Sequence, residues 1–236
     1  MAVNSPRAVI VDIDNTVYPY QVCHEAGLIR AGTLAAALDR YWVDISEFKR
    51  DYDNARRVVK RLTGVQAAGH SRLLYLKHLV EARWGRTDIE AVLKLHRAYW
   101  EGYHAEMVPD PGCAECLEDL RVRGVRLAWV TNFTTERQLM KLRDLGLESA
   151  ADFLITSEEV SAEKPDPAPL DLALRKLRSR PEETWVIGDS LTDDIAAAQT
   201  LNLTSVWFNR DGAEQSGPVP DFIVRNWLEL REVLHR

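Results

Sequence analysis

Two aspartates two residues apart end the apolar run Val9-Ile10-Val11-Asp12-Ile13-Asp14, and Asn15-Thr16 follow as turn formers. A short β-branched run favours a strand, so this segment delivers carboxylates to its own C-terminal edge. In an open parallel sheet that edge borders the crevice where ligands bind. Side chains two apart share a face of a regular strand, which points Asp12 and Asp14 at one ion or one substrate. Carboxylates that close repel and raise one pKa unless a cation sits between them. The pair therefore reads as a Mg²⁺ site, as a nucleophile and an acid with separated pKa values, or as both. Taken alone it also reads as a strand exit where Asp and Asn serve turn chemistry.

Three later segments end in the same manner. Val125-Arg126-Leu127-Ala128-Trp129-Val130 runs into Thr131-Asn132, Thr184-Trp185-Val186-Ile187 runs into Gly188-Asp189-Ser190, and Lys164-Pro165-Asp166-Pro167 breaks the chain before a helical stretch. A nucleophile, a hydroxyl donor, a cation and a second acidic cluster, in that order, are the parts that phosphoryl transfer needs. Through these four segments the chain resembles the haloacid dehalogenase superfamily over residues 8 to about 207. The stretch from Ser157-Glu158-Glu159-Val160 to Lys164-Pro165 is similar to small-metabolite and nucleotide phosphatases that carry a helical cap.

The resemblance implies a Mg²⁺-dependent phosphatase in which Asp12 attacks phosphorus and forms an aspartyl-phosphate. It assigns Asp14 to protonate the leaving oxygen and then to accept a proton from water, with its backbone carbonyl on the metal. That role asks for a raised pKa, which a neighbouring carboxylate supplies. Thr131 donates its hydroxyl to phosphoryl oxygens, Asn132 assists from the same loop, and Lys164 neutralises repulsion between nucleophile and phosphate. The implied metal set is Asp12, Asp14, Asp189 and Asp194, with Asp193 as the alternative for the last position. The implied substrate is a small phosphorylated metabolite such as a sugar phosphate or a nucleoside monophosphate. A phosphomutase or a 2-haloacid dehalogenase of the same superfamily is the enzymatic alternative. Asp14 speaks against the dehalogenase, which attacks carbon and needs no second Asp. A phosphoacceptor or phosphate-sensing module is the non-enzymatic alternative, although such a receiver needs no inserted segment.

Composition narrows the partners. With 36 acidic against 30 basic residues and a net charge of -6, the chain is ill suited to hold a nucleic acid polymer by phosphate neutralisation. No apolar run approaches the roughly 18 residues that cross a bilayer, and residues 1–7 lack a signal-peptide pattern. The expected setting is therefore cytoplasmic, without a membrane partner, as a monomer or homodimer. Cys23, Cys113 and Cys116 are too few for a disulfide framework or a zinc site and read as small core residues.

Elements must hold these residues in place. Between the first strand and Pro109-Asp110-Pro111-Gly112, helical periodicity runs through 27–41, 47–62, 72–84 and 88–103 with almost no strand signal. After Gly112 helices and strands alternate, which implies a parallel sheet with helices on both faces. The expected fold is α/β: a Rossmann-like parallel sheet flanked by helices, with an inserted all-helical cap domain. Residues 1–19 and 107–236 form the catalytic core in this reading, and 20–106 form the cap that chooses the substrate. Within the cap, Arg50, Arg56, Arg57, Lys60 and Arg61 read as a solvated helix face before they read as an anion contact. Tyr18, Tyr20, Trp42 and Trp84 read as packing aromatics before they read as an entrance lining.

Overall fold

The computed structural model describes residues 5–235. Residues 1–4 and Arg236, at the outer ends of the expected core, lie outside the described residues, as does most of the segment read for a signal peptide. Six strands form one parallel sheet: β1 Ala8–Val11, β2 Arg126–Thr131, β3 Phe153–Thr156, β4 Thr184–Gly188, β5 Thr204–Phe208 and β6 Phe222–Val224. Their order is β3-β2-β1-β4-β5-β6. Val9 lies in register with Leu127 on one side and Trp185 on the other, so β1 is central and buried throughout. That burial on both faces explains its unbroken apolar sequence. The connections reverse direction between β1 and β4, and such a switch point is where α/β sheets place ligands.

The chain divides into two compact units, residues 1–19 with 108–236, and residues 20–107. The second unit is helical: α1 Tyr20–Leu38, α2 Ile45–Thr63, α3 Arg72–Trp84 and α4 Ile89–Ala105. Side chains of Asp44, Ser71 and Asp88 accept from backbone N–H groups in the first turns of α2, α3 and α4, as N-caps do. Close approach of α1 and α4 depends on Gly102, where a Cβ would lie 2.6 Å from the Ala26 carbonyl oxygen. Helix α1 starts seven residues earlier than periodicity suggests, because its first turns turn polar rings inward rather than an apolar stripe. There the Tyr20 and His24 rings stack at 5.5 Å, and His24 Nδ1 lies 2.7 Å from the Tyr99 hydroxyl. The buried Arg72 guanidinium donates to the Tyr20 hydroxyl at 2.6 Å and to the His70 carbonyl at 2.7 Å. Burial, reinforced by the Arg72 charge, pushes the His24 pKa down to about 4. Trp42 is buried and packs on Phe48 and Trp84, while Arg50, Arg56, Arg57, Lys60 and Arg61 are exposed. Among the described residues no helix is long and apolar enough to cross a membrane.

In the first unit, α5 Cys113–Val122, α6 Thr135–Asp144, α7 Ser157–Val160, α8 Ala168–Leu177, α9 Ala196–Thr200 and α10 Trp227–Leu234 complete the fold. One sheet face offers Ile10, Ala128, Val130, Ile155 and Val186 to Leu170, Ala173 and Leu174 of α8 and to Ala197 and Ala198 of α9. Cys23, Cys113 and Cys116 are free and buried, and burial pushes the Cys116 thiol up to about 12. Where the sequence suggests one helix over 193–201, a widened turn, Leu191–Ile195, precedes the short α9. Asp194 N and Ile195 N both donate to the Ser190 carbonyl, at 2.9 and 3.2 Å, and the Ser190 hydroxyl accepts from Asp193 N at 3.1 Å.

Candidate active site

Asp12 extends the β1 ladder by one bond, its N–H donating to Ile187 O at 2.9 Å. Its carboxylate is buried and accepts from Lys164 Nζ at 2.7 Å. The same ammonium donates to Asp194 Oδ1 at 2.6 Å and to Val130 O at 2.9 Å. Both ends of the Asn132 amide fasten the Lys164 backbone, Oδ1 accepting from its N–H at 2.8 Å and Nδ2 donating to its carbonyl at 2.9 Å. Asn132 thus sets the lysine's root in this structure.

On the other side of Asp12, β4 ends in Gly188 and Asp189. A Cβ on Gly188 would lie 2.2 Å from the Asp194 carboxyl carbon, so glycine lets that carboxylate press against the strand. The widened turn aims Asp194 back at Ser190 N, 3.0 Å away. Asp189 accepts from Asn15 Nδ2 at 2.8 Å, and Asn15 adopts a left-handed φ of 67°, a conformation Asn tolerates better than most residues. Carboxylate oxygens of Asp12, Asp189 and Asp194 all lie within 4.8 Å of one another. Asp193 stays outside this group and contacts the Ser190 hydroxyl through its backbone, which separates the two acids that the sequence leaves undecided.

Charge in this cluster does not balance. Three carboxylates face one ammonium, leaving two negative charges over in a buried place. Burial, with Asp194 and Asp189 close by, drives the Asp12 pKa upward against the pull of Lys164. Burial and Asp194 push Asp189 up to about 6. Burial alone would lower the Lys164 pKa, but Asp12 and Asp194 outweigh it and hold the ammonium charged. Hard oxygen donors with a surplus of two negative charges suit a divalent cation such as Mg²⁺.

Asp14 departs from the expectation that it shares a face with Asp12. Strand β1 stops at Val11, and Asp14 instead bridges to Tyr18, so strand alternation no longer applies. Its carboxylate looks toward α6: Oδ1 accepts from Lys141 Nζ at 2.5 Å and from the Tyr18 hydroxyl, and Oδ2 from Gln138 Nε2 at 2.8 Å. Gln138 Nε2 also donates to Thr131 Oγ1 at 2.7 Å, the last residue of β2. Burial pushes the Asp14 pKa up, but the Lys141 charge and the three donors prevail and lower it, opposite to the raised value expected from the sequence. Lys141 and Gln138, which hold this carboxylate, are residues the sequence does not single out, while Tyr18 and Asn15, read there as a packing aromatic and a turn former, also bond the site's carboxylates. Behind the loop, Arg210 donates to Asn15 O at 3.0 Å and to Asp110 Oδ1 at 2.8 Å, while Asp110 N donates to Val17 O at 2.9 Å.

Known proteins resemble this chain. Residues 6–202 match the model of the haloacid dehalogenase-like hydrolases. The chain is 42% identical to ribulose-1,5-bisphosphate 5-phosphatase of Halopiger xanaduensis, over 89% of this chain and 86% of that one. It is 30% identical to glyceraldehyde 3-phosphate phosphatase of Methanopyrus kandleri, over 97% of each. A solved structure described as a HAD phosphatase from Thermococcus onnurineus superposes with a TM-score of 0.71 at 24% identity, over 96% of this chain and 97% of that one. Parallel sheet, strand-end carboxylates, buried lysine and relatives together make this chain a member of the haloacid dehalogenase-like hydrolase family.

Proposed function

We propose that this phosphatase hydrolyses phosphomonoesters of small sugar phosphates through an aspartyl-phosphate on Asp12, in the cytoplasm. The observation that carries the reading is the buried Asp12 carboxylate, paired with Lys164 and grouped with Asp189 and Asp194. Both named relatives act on three- or five-carbon sugar phosphates by name, which favours that class over nucleoside monophosphates. Asp12, Asp189 and Asp194, with the Asp14 backbone carbonyl, would hold Mg²⁺, which when bound supplies positive charge against nucleophile and phosphoryl oxygens.

In the first step an Asp12 oxygen forms a bond to phosphorus as the bond to the ester oxygen breaks, and Asp14 gives that oxygen a proton. In the second, water attacks phosphorus, its proton passes to Asp14, phosphate leaves, and the Asp12 carboxylate returns. The lowered pKa of Asp14, set against burial by Lys141, Tyr18 and Gln138, suits it to begin the second step as a carboxylate. An incoming phosphate dianion beside it raises its pKa by like-charge repulsion and prepares it for the first. Lys164 opposes the rise that burial and the neighbouring carboxylates impose on the Asp12 pKa and holds the carboxylate in place. The Thr131 hydroxyl accepts from Gln138, which leaves its own hydrogen for a phosphoryl oxygen. Residues 20–107 select the sugar, and the chain works as a monomer or homodimer with neither a nucleic acid polymer nor a membrane as partner.

The test is phosphate release from sugar mono- and bisphosphates and nucleoside monophosphates, with and without Mg²⁺, using Asp12→Asn as the blank. Mg²⁺-dependent release that is greatest on sugar phosphates and absent from the variant is the expected result. Turnover by Asp12→Asn would overturn the mechanism, and no release above that blank would favour phosphoryl transfer or sensing.

A further inference from the structure

A proton donor acts only if its carboxyl group is held at the right angle to the leaving oxygen, and a free aspartate side chain rotates about two bonds. Here both oxygens are held, Oδ1 by Lys141 and Tyr18 and Oδ2 by Gln138. Gln138 and Lys141 lie three apart on α6 and so share one face. That face is buried: the Lys141 side chain is 1% exposed, and its ammonium lies 4.5 Å from the Phe133 ring centroid. A cation withdrawn from water is costly unless an anion meets it, and Asp14 is an anion that meets this one at 2.5 Å. Gln138 is wholly buried and divides one amide nitrogen between Asp14 and Thr131. One helix face therefore sets the acid and the phosphoryl-binding hydroxyl in fixed relation to each other.

We infer that Lys141, supported by Gln138, is a positioning residue for proton transfer by Asp14. The inference rests on the assignment of Asp14 as acid and base made above. An alternative duty, plain bracing of α6 or direct contact with phosphate, would affect every ester alike. Positioning of the acid affects only esters whose leaving oxygen needs a proton: an alkoxide does, whereas nitrophenolate departs without one.

The experiment is single-turnover release of the leaving group from a sugar phosphate and from p-nitrophenyl phosphate, in Mg²⁺, by the full chain. General acid catalysis contributes about 100-fold or more, so Lys141→Met is expected to slow alcohol release on the order of 100-fold while nitrophenolate release stays within about threefold. Asp14→Asn serves as the reference and is expected to show the same selective loss. Equal losses on both esters in Lys141→Met, or a rise in KM for both, would overturn the inference while leaving the Asp14 assignment intact. Undiminished alcohol release by Asp14→Asn would remove the assignment and the inference with it. If Lys141→Met does not fold, Lys141→Arg and Gln138→Leu carry the test. The first is expected to spare alcohol release, and the second, which also frees the Thr131 hydroxyl, to slow both esters but alcohol release the more; an equal loss on both esters in Gln138→Leu overturns the inference.

Discussion

Asp189 is held by Asn15 on one side and repelled by Asp194 on the other, in a cluster with two negative charges too many. Neutralising it without changing its shape relieves that surplus. Asp189→Asn is expected to melt higher than wild type in EDTA, by about 1–2 kcal/mol, and to gain little from Mg²⁺. Wild type is expected to gain about 2.7 kcal/mol from Mg²⁺ at 100 times its Kd. Thermal melts of both proteins with and without Mg²⁺ read the difference, and a less stable metal-free variant would refute the charge argument. Asp12, Asp14, Thr131 and Asp189 stand out in the sequence because each lies where an apolar run meets a turn former, and Lys164 because it precedes Pro165. Lys141 and Gln138 do not. In Thr-Glu-Arg-Gln-Leu-Met-Lys-Leu-Arg-Asp they look like members of a solvated charged helix, and only the packing of α6 against the Asp14 loop turns them inward.

Gly188 and the turn at Leu191–Ile195 act together, since the glycine makes room for the carboxylate that the turn returns. Gly188→Ala is expected to displace Asp194, unsettle Lys164, cost about 1–3 kcal/mol of stability by overpacking and lower kcat by about 100-fold or more. Melts paired with phosphate release check this, and near-normal kcat would show that Asp194 can shift without harm. Helix α8 was readable at its start, since Pro165 and Pro167 mark where a helix can begin. The widened turn was not, because Leu-Thr-Asp-Asp-Ile has ordinary helical spacing and its register follows from Ser190 bonding.

In the helical unit, His24 binds no proton at pH values where the unfolded chain does. With a folded pKa near 4 against 6.5 unfolded, stability is complete above about pH 6.5 and falls as pH drops toward 4, by at most about 3 kcal/mol. Urea midpoints across that range should fall with acid in wild type and stay flatter in His24→Gln. Equal slopes would locate the effect elsewhere.

At the scale of the molecule, alternation of helix and strand after Gly112 disclosed an α/β sheet, and the unbroken helical periodicity before it disclosed an insertion. Strand order was not legible, since β1 pairs with β4 across some 176 positions, Ala8 with Thr184, and no local pattern encodes that pairing. The bond between Asp110 N and Val17 O brings the two chain crossings of the sheet unit together, so a short Gly/Ser linker can replace residues 20–107. The excised protein is expected to melt in one transition and to hydrolyse p-nitrophenyl phosphate with Mg²⁺, but to discriminate poorly among sugar phosphates. Circular dichroism and phosphate release decide it, and a chain without a cooperative melt would show that the sheet unit does not fold alone.

The place of β1 in the sheet also sets a schedule for biosynthesis. Ala-Val-Ile-Val leaves the ribosome well before its neighbours, which begin at Arg126 and Thr184. The helical segment, whose contacts are local, completes early, while the nascent central strand waits with both edges open. Unpaired apolar strands are where growing chains associate wrongly, so the interval between synthesis of β1 and of β4 is when this chain has most need of fast translation or a chaperone.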